Sequence, residues 1–449
     1  MQRRQIAGIG IGKIVTGAIL AVIALGAVIF YLFYTGRFGG GSKLKLTSPV
    51  HVGHDYSDIA AENNIVSDYL FGRVKKLNVE KGGDGILAST TYTIAGRLVT
   101  QEAENSGVYE LTDQALLLKC YVRAGDGANA IALKNEVTKR FRLSDGAYRT
   151  FVYSDPAKSE ELITVSASMA WLDALTEYYV SFGNDDDYKE ICHLAGLLFD
   201  NEGRVIPEQL SVAKYAESLY VSLEDTSTIE EGMEGSLEQL YGTITGDVEG
   251  ADAARDELEA DIEGVLLSNI NLRLIRDLEN NGILAQGAYE RALKSVKGGF
   301  AGAGYAFYAY ATNGQMDSED YIYTGQDIGA FDITHSVKTM RNLAEVGELD
   351  NESFAEFKGQ VMNYGRIYTE YVIMTGSYSG REALNAYSDA LLLAYFVGDK
   401  DLYATLTNAL GKRVATKSTS PALYMIFREE NDRYVFYARE NFAVRLATS

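Results

Sequence analysis

The sequence predicts an all-α chain of successive helical hairpins with a few short strands, preceded by one transmembrane helix. Three observations carry this expectation. The 449 residues hold only four prolines and many Ala, Leu and Glu, a composition that favours helices. Apolar residues recur at helical spacing in one segment after another. Residues 14–36 (IVTGAILAVIALGAVIFYLFYTG) run without a charge over the roughly 20 residues that a helix needs to cross the hydrocarbon of a bilayer.

That apolar run ends in Phe30, Tyr31, Phe33 and Tyr34, an interfacial aromatic belt rather than the small-residue cleavage site of a signal peptide. Arg3, Arg4 and Lys13 precede it, and Arg37, Lys43 and Lys45 follow, so charge gives little contrast between its two sides. Residues 1–13 are too short to hold a folded domain and are placed in the cytoplasm. The expected location is the cell membrane, single-pass, with the main domain extracellular. Residues 37–54 form a linker that opens on the flexible GRFGGGS tether, and residues 55–449 form one large domain.

Within that domain the helical stripes follow in order. Leu111, Ala115, Leu118 and Tyr121 line one face of residues 110–123, and Met169, Leu172, Leu175 and Tyr179 line 162–182 around Trp171. Further helices are expected at 188–199, 207–223, 334–343, 353–374, 382–397 and 401–410. Gly398-Asp399-Lys400 and Gly347-Glu348-Leu349-Asp350 read as the tight turns of hairpins. Short strands are expected at 146–153 and around 365–371, where β-branched and aromatic residues cluster.

A net charge of −21 argues against nucleic acid and anionic lipid surfaces as partners. Residues 224–264 carry fourteen acids and only Arg255 as a cation, which reads as a solvated insertion whose part 251–267 has a helical pattern. Cys120 and Cys192 cannot make a disulfide framework and sit in apolar helical patterns, which suits core packing. His51 and His54 lack a third ligand, so no metal is expected, nor any cofactor. The glycine-rich GFAGAG at 299–304 lacks the strand and helix of a dinucleotide site. Chemistry must then come from carboxylates and aromatics. Glu104 precedes the helix starting near Leu111, and Gly107 leaves room for close approach. Tyr308 belongs to an aromatic cluster with Tyr305, Phe307 and Tyr310, rings able to stack on sugar faces.

Glu104-x-x-Gly107, a Gly-Ala-Tyr strand at Tyr148 and helical hairpins closing in residues 440–446 (ENFAVRL) follow an order that resembles glycoside hydrolase family 8. The stretches NLAEVGE at 342–348, YGRIY at 364–368, EALNAY at 382–387 and VGDKDLY at 397–403 are similar to the family's membrane-anchored bacterial exopolysaccharide branch. The resemblance implies an (α/α)6 toroid over residues 55–449 and inverting cleavage of a β-linked polysaccharide. Inversion needs a protonated carboxyl and a second carboxylate roughly 6.5–9.5 Å away. Glu104 falls at the proton donor, while Tyr109, Tyr148, Ser168, Trp171, Asn271 and Tyr308 are the expected sugar contacts. The base falls on Asn271, which cannot accept a proton, and the family's orienting acids fall on Ala167 and Ser168. Two function classes stay open, beside a blander third in which the chain is a helical membrane-tethered scaffold. One is hydrolysis with Glu104 as acid and a recruited base such as Asp261 or Asp277. The other is a catalytically degenerate toroid that binds a polysaccharide, an oligosaccharide or a neighbouring membrane protein.

Overall fold

The computed structural model describes residues 44–47, 55–65, 72, 86–95, 104–155, 158, 162–211, 261–302, 307–313, 321–322, 330–372, 377–430 and 433–448. Its elements run α1 (Ser57–Glu62), β1 (Thr91–Ala95), β2 (Glu104–Asn105), β3 (Val108–Glu110), α2 (Leu111–Arg123), α3 (Gly127–Phe141), β4 (Phe151–Tyr153), α4 (Val165–Phe182) and α5 (Asp185–Leu198). Then come β5 (Glu208–Ser211), β6 (Asp261–Leu266), α6 (Leu272–Asn280), α7 (Ala288–Gly298), β7 (Ala311–Thr312), β8 (Tyr321–Ile322), β9 (Ala330–Asp332), α8 (Ile333–Val346) and α9 (Asn351–Tyr364). The chain closes with β10 (Tyr368–Val372), β11 (Ser377–Glu382), α10 (Tyr387–Val397), α11 (Lys400–Gly411), β12 (Arg428–Glu430), β13 (Arg433–Tyr437) and α12 (Ala438–Ala447).

The even-numbered helices form an inner ring. Helix α2 packs on α4 and α12, α12 on α10, α10 on α8, and α8 on α6, while the 3-10 turn Leu267–Asn269 ahead of α6 closes the ring against α4. The odd-numbered helices α3, α5, α7 and α11 pack outside their inner neighbours, and α9 and α1 pack on α11. Short turns make this alternation possible. After α8 and α10 the chain reverses through Gly347 and Gly398, both in the left-handed region that favours glycine, and Asp350 and Asp399 then cap the returning helices. Every inner helix therefore runs in the same direction. Helix α10 (YSDALLLAYFV) is apolar nearly all round because it is covered on both sides.

The strands gather at one end. Strands β3, β9 and β13 run straight into α2, α8 and α12, whereas β6 and β11 reach α6 and α10 through short 3-10 turns. They build the sheets β12-β13-β1-β2, β11-β10-β9, β3-β4 and β5-β6-β7-β8 around the N-terminal ends of the inner helices. This rim replaces helix in two expected places. Residues 208–211 pair antiparallel with 261–264, in the register Glu208 to Gly264 through Ser211 to Asp261, and that long-range pairing replaces the local helical spacing. The helix expected over 353–374 stops at Tyr364, where Gly365 takes a left-handed φ of 66°, and Tyr368–Val372 is a strand. Helices α1, α3, α6 and α7 are not announced by the periodicity.

Among the described residues no helix is long and apolar enough to cross a membrane. The expected span at 14–36, most of the linker, His51 and His54, and residues 224–260 of the acidic segment lie outside the described residues. Cys120 is buried and Cys192 half-buried, and both are free thiols.

Candidate functional site

Helices α2, α4, α8, α10 and α12, with the turn and N-cap that precede α6, line one axial cavity of about 390 Å³. Its depth can be read from the helical repeat. The first turns at the mouth supply Thr112, Ser166, Ser268, Asn269, Asn271, Thr334, His335, Asn385, Arg439 and Glu440, so the entrance is hydroxyls and amides with few charges. One turn deeper stand Ala115, Leu116, Met169, Ala170, Lys338, Ser388, Asp389 and Ala443. A further turn down, Lys119, Asp173, Arg341 and Asn342 form the floor.

The floor belongs to a buried belt of ion pairs. Lys119 holds Asp173 in a short contact and Glu177 at 3.1 Å. Arg273 reaches Asp173 at 2.6 Å, Glu345 at 2.9 Å and Asp277 at 3.3 Å, and Arg341 joins Glu345 at 3.1 Å to Asp389 at 3.2 Å. Five of the inner helices are thereby cross-linked. Burial alone would push the Asp173 carboxyl up, but Lys119 and Arg273 outweigh it and hold the group far below the usual range. Asp389 is likewise ion-paired, and Glu440 is bound by Arg428, although burial still pushes its carboxyl above the ordinary value. Each carboxylate that lines the cavity thus already has a cationic partner.

Nearer the mouth the chemistry is different. Ser268 Oγ and His335 Nδ1 are 2.8 Å apart, and Tyr310 sets its ring edgewise on the imidazole at 4.8 Å. Burial lowers the His335 pKa despite the Asp332 carboxylate, whose nearest oxygen is 3.9 Å from Nε2, so the ring is neutral at pH 7. Lys338 donates to Asn269 Oδ1 at 3.2 Å, and burial drives its ammonium down to about 8. Among the described residues no cluster of His, Cys, Asp and Glu has the form of a metal site.

The residues expected from sequence are scattered. Asn271 alone lines the cavity, and its Oδ1 is occupied as the N-cap of α6, accepting from Leu274 N at 3.1 Å. Glu104 is exposed on the edge strand β2, opposite Thr93, in the sheet that leads into α12. It is not at a helix end: β3 intervenes, and Glu110 is the residue that precedes α2. Gly107 has φ 66° and lies close to Ser154, which is the close approach expected of it. Tyr109 is buried in β3 beneath the Arg140 guanidinium. Tyr148 and Trp171 fill the core side by side, rings 5.8 Å apart, and the Tyr148 hydroxyl donates to Glu190 at 3.0 Å. Ser168 is buried while its helix presents Ser166, Met169 and Ala170 to the cavity. Tyr308 stacks near Phe300 at a second cavity outside the ring, beside Lys297 and Glu348. Asp277 sits toward the C-terminal end of α6, gripped by Arg273 and by the backbone of Thr47 at 2.7 Å, far along the helix from the mouth. Asp261 begins β6, on the rim.

The residues missed were Lys119, Asp173, His335, Lys338, Arg341, Asp389 and Arg439. One signal existed: Asp173 and Asp389 are single charges inside apolar runs (WLDAL, YSDALLL), a pattern of buried and paired carboxylates.

No family model and no curated protein matches the sequence. Solved structures do. An alpha-amylase from Clostridium perfringens superposes with a TM-score of 0.60 at 15% identity, covering 85% of this chain and 96% of its own. A beta-1,3-1,4-glucanase from Paenibacillus sp. X4 gives 0.52 at 8% identity over 92% and 98%. PssZ from Listeria monocytogenes gives 0.50 at 12% identity over 90% and 97%. The likeness extends over 85–92% of this chain and is one of fold, a glycoside hydrolase family 8-like one, as its sequence resemblance implied.

Proposed function

We propose that this protein is a membrane-anchored, extracytoplasmic glycoside-hydrolase-like toroid whose axial cavity binds a β-linked polysaccharide or oligosaccharide. The observation that carries the reading is the composition of the cavity mouth. Beside Arg439 and Glu440 its side chains are Thr, Ser, Asn and His, groups that donate to and accept from sugar hydroxyls, in a concavity of the size small ligands occupy. The same observation favours binding over cleavage. The lining carboxylates are committed to Lys119, Arg273, Arg341 and Arg428, and Asn271, to which the family resemblance assigns the general base, is an amide used as a helix cap. The apolar run at 14–36 supports an anchor that leaves the toroid outside the cell, where polysaccharide is met.

Hydrolysis is the second reading, and the exposed Glu104 carboxylate on the rim is the feature that favours it. The test uses the full chain in detergent with a panel of β-glucans and N-acetylated polysaccharides, measuring binding and release of new reducing ends. Binding without release, unchanged in Glu104→Gln, is expected. Release that Glu104→Gln abolishes and Asn271→Asp increases would replace binding with catalysis, and a panel bound by nothing would overturn both.

A further inference from the structure

Accepting the cavity as a glycan site, we propose that its occupant is acidic: a β-linked glycan bearing a carboxylate, as a hexuronic acid residue does, received by Lys338 and Asn269.

Two independent features point to a missing acceptor. Asn269 is only 5% exposed and lines the cavity, yet its Nδ2 has no hydrogen-bond partner among the described residues, while its Oδ1 is taken by Lys338. A buried amide N–H without an acceptor costs free energy that a ligand oxygen would recover. The second feature is Lys338 itself. Every other lining cation has a carboxylate beside it: Lys119 has Asp173, Arg341 has Asp389, and Arg439 has Glu110 at 3.9 Å. Lys338 has one amide oxygen, and among the described residues no ion pair joins it to a carboxylate. An ammonium carries three donors, so two are left to aim at a ligand.

Neighbouring groups reinforce the same sign. Both residues stand on the mouth side of the same cavity, Asn269 in the turn ahead of α6 and Lys338 in the second turn of α8. Arg439 waits at the mouth, 51% exposed in its side chain, on the same cavity. A neutral sugar could satisfy Asn269 through a hydroxyl, but it would leave the ammonium with only the distant pull of Asp389, which is already ion-paired with Arg341. A carboxylate with two oxygens answers both donors at once.

The experiment titrates the full chain in detergent with a β-linked glucuronic acid oligomer, the neutral glucose oligomer of equal linkage and length, and inorganic phosphate. The acidic oligomer should bind the wild type about 10-fold more tightly than the neutral one, the ratio expected for one added charge-assisted contact. Lys338→Met should erase that ratio, and Lys338→Arg should keep it. Equal affinity of the wild type for the two oligomers overturns the inference and leaves the glycan site standing. Binding of neither overturns the site as well. Phosphate that competes as well as the acidic oligomer would show a simple anion hole and end the sugar-carboxylate assignment. The wild-type comparison needs no variant, so a folding defect in Lys338→Met cannot rescue the proposal.

Discussion

Single residues set the protonation of this molecule. Asp113, in the first turn of α2, is fully buried with the Thr90 hydroxyl beside its carboxyl. Burial, and then the neighbouring Glu110, push its carboxyl well above the ordinary value, against the pull of Arg439. A carboxyl raised in the folded state adds stability below its unfolded pKa of about 4 and loses it as pH climbs through the folded value. Asp113→Asn should therefore flatten the fall of melting temperature between pH 4 and 7, with the variant the more stable at pH 7; parallel profiles for the two proteins would refute this. Lys338 runs the opposite way. Burial lowers it to about 8 against Asp389, with Arg439 and Arg341 adding to the descent and neutral His335 one turn away. Its charge fades from pH 7 to 9, and affinity for the acidic oligomer should fall with it while the neutral oligomer's does not.

At the scale of elements, the caps and the ion-pair belt are what hold helix against helix. Asp399 caps α11 by accepting from Leu402 N at 3.0 Å and also binds Lys358 of α9. Asp399→Ala should cost about 1–2 kcal/mol, read as a shift in the denaturation midpoint with an unchanged slope. The belt is more sensitive. Arg273 is buried among Asp173, Glu177, Asp277 and Glu345, and removing it strips Asp277 of its cation and leaves the other three to Lys119, Arg123 and Arg341. Arg273→Met should destabilise by about 3–5 kcal/mol in chemical denaturation. A smaller loss, under about 1 kcal/mol, would mean that Lys119 and Arg341 suffice to neutralise the floor. The turns could be read directly from the chain: Gly347 through Asp350 and Gly398-Asp399 announce a left-handed residue followed by a cap. Strands β5 and β6 could not, because their pairing depends on a partner more than forty residues away.

For the whole molecule, closure of the ring is what creates a site. Lys119, Asp173, Arg341 and Asp389 come from four different helices, and only the circular arrangement turns them inward together. The sequence by itself determined the helical class, the hairpin turns, the acidic character and an apolar run long enough to span a bilayer, since composition, local spacing and backbone preference are properties of neighbouring residues. Tertiary structure alone decided which polar groups face the cavity. It buried Tyr148 and Trp171 in the core, left Glu104 on an exposed edge and brought Asn269 against Lys338, because the direction of a side chain is settled by what packs behind its helix, often a hundred residues away.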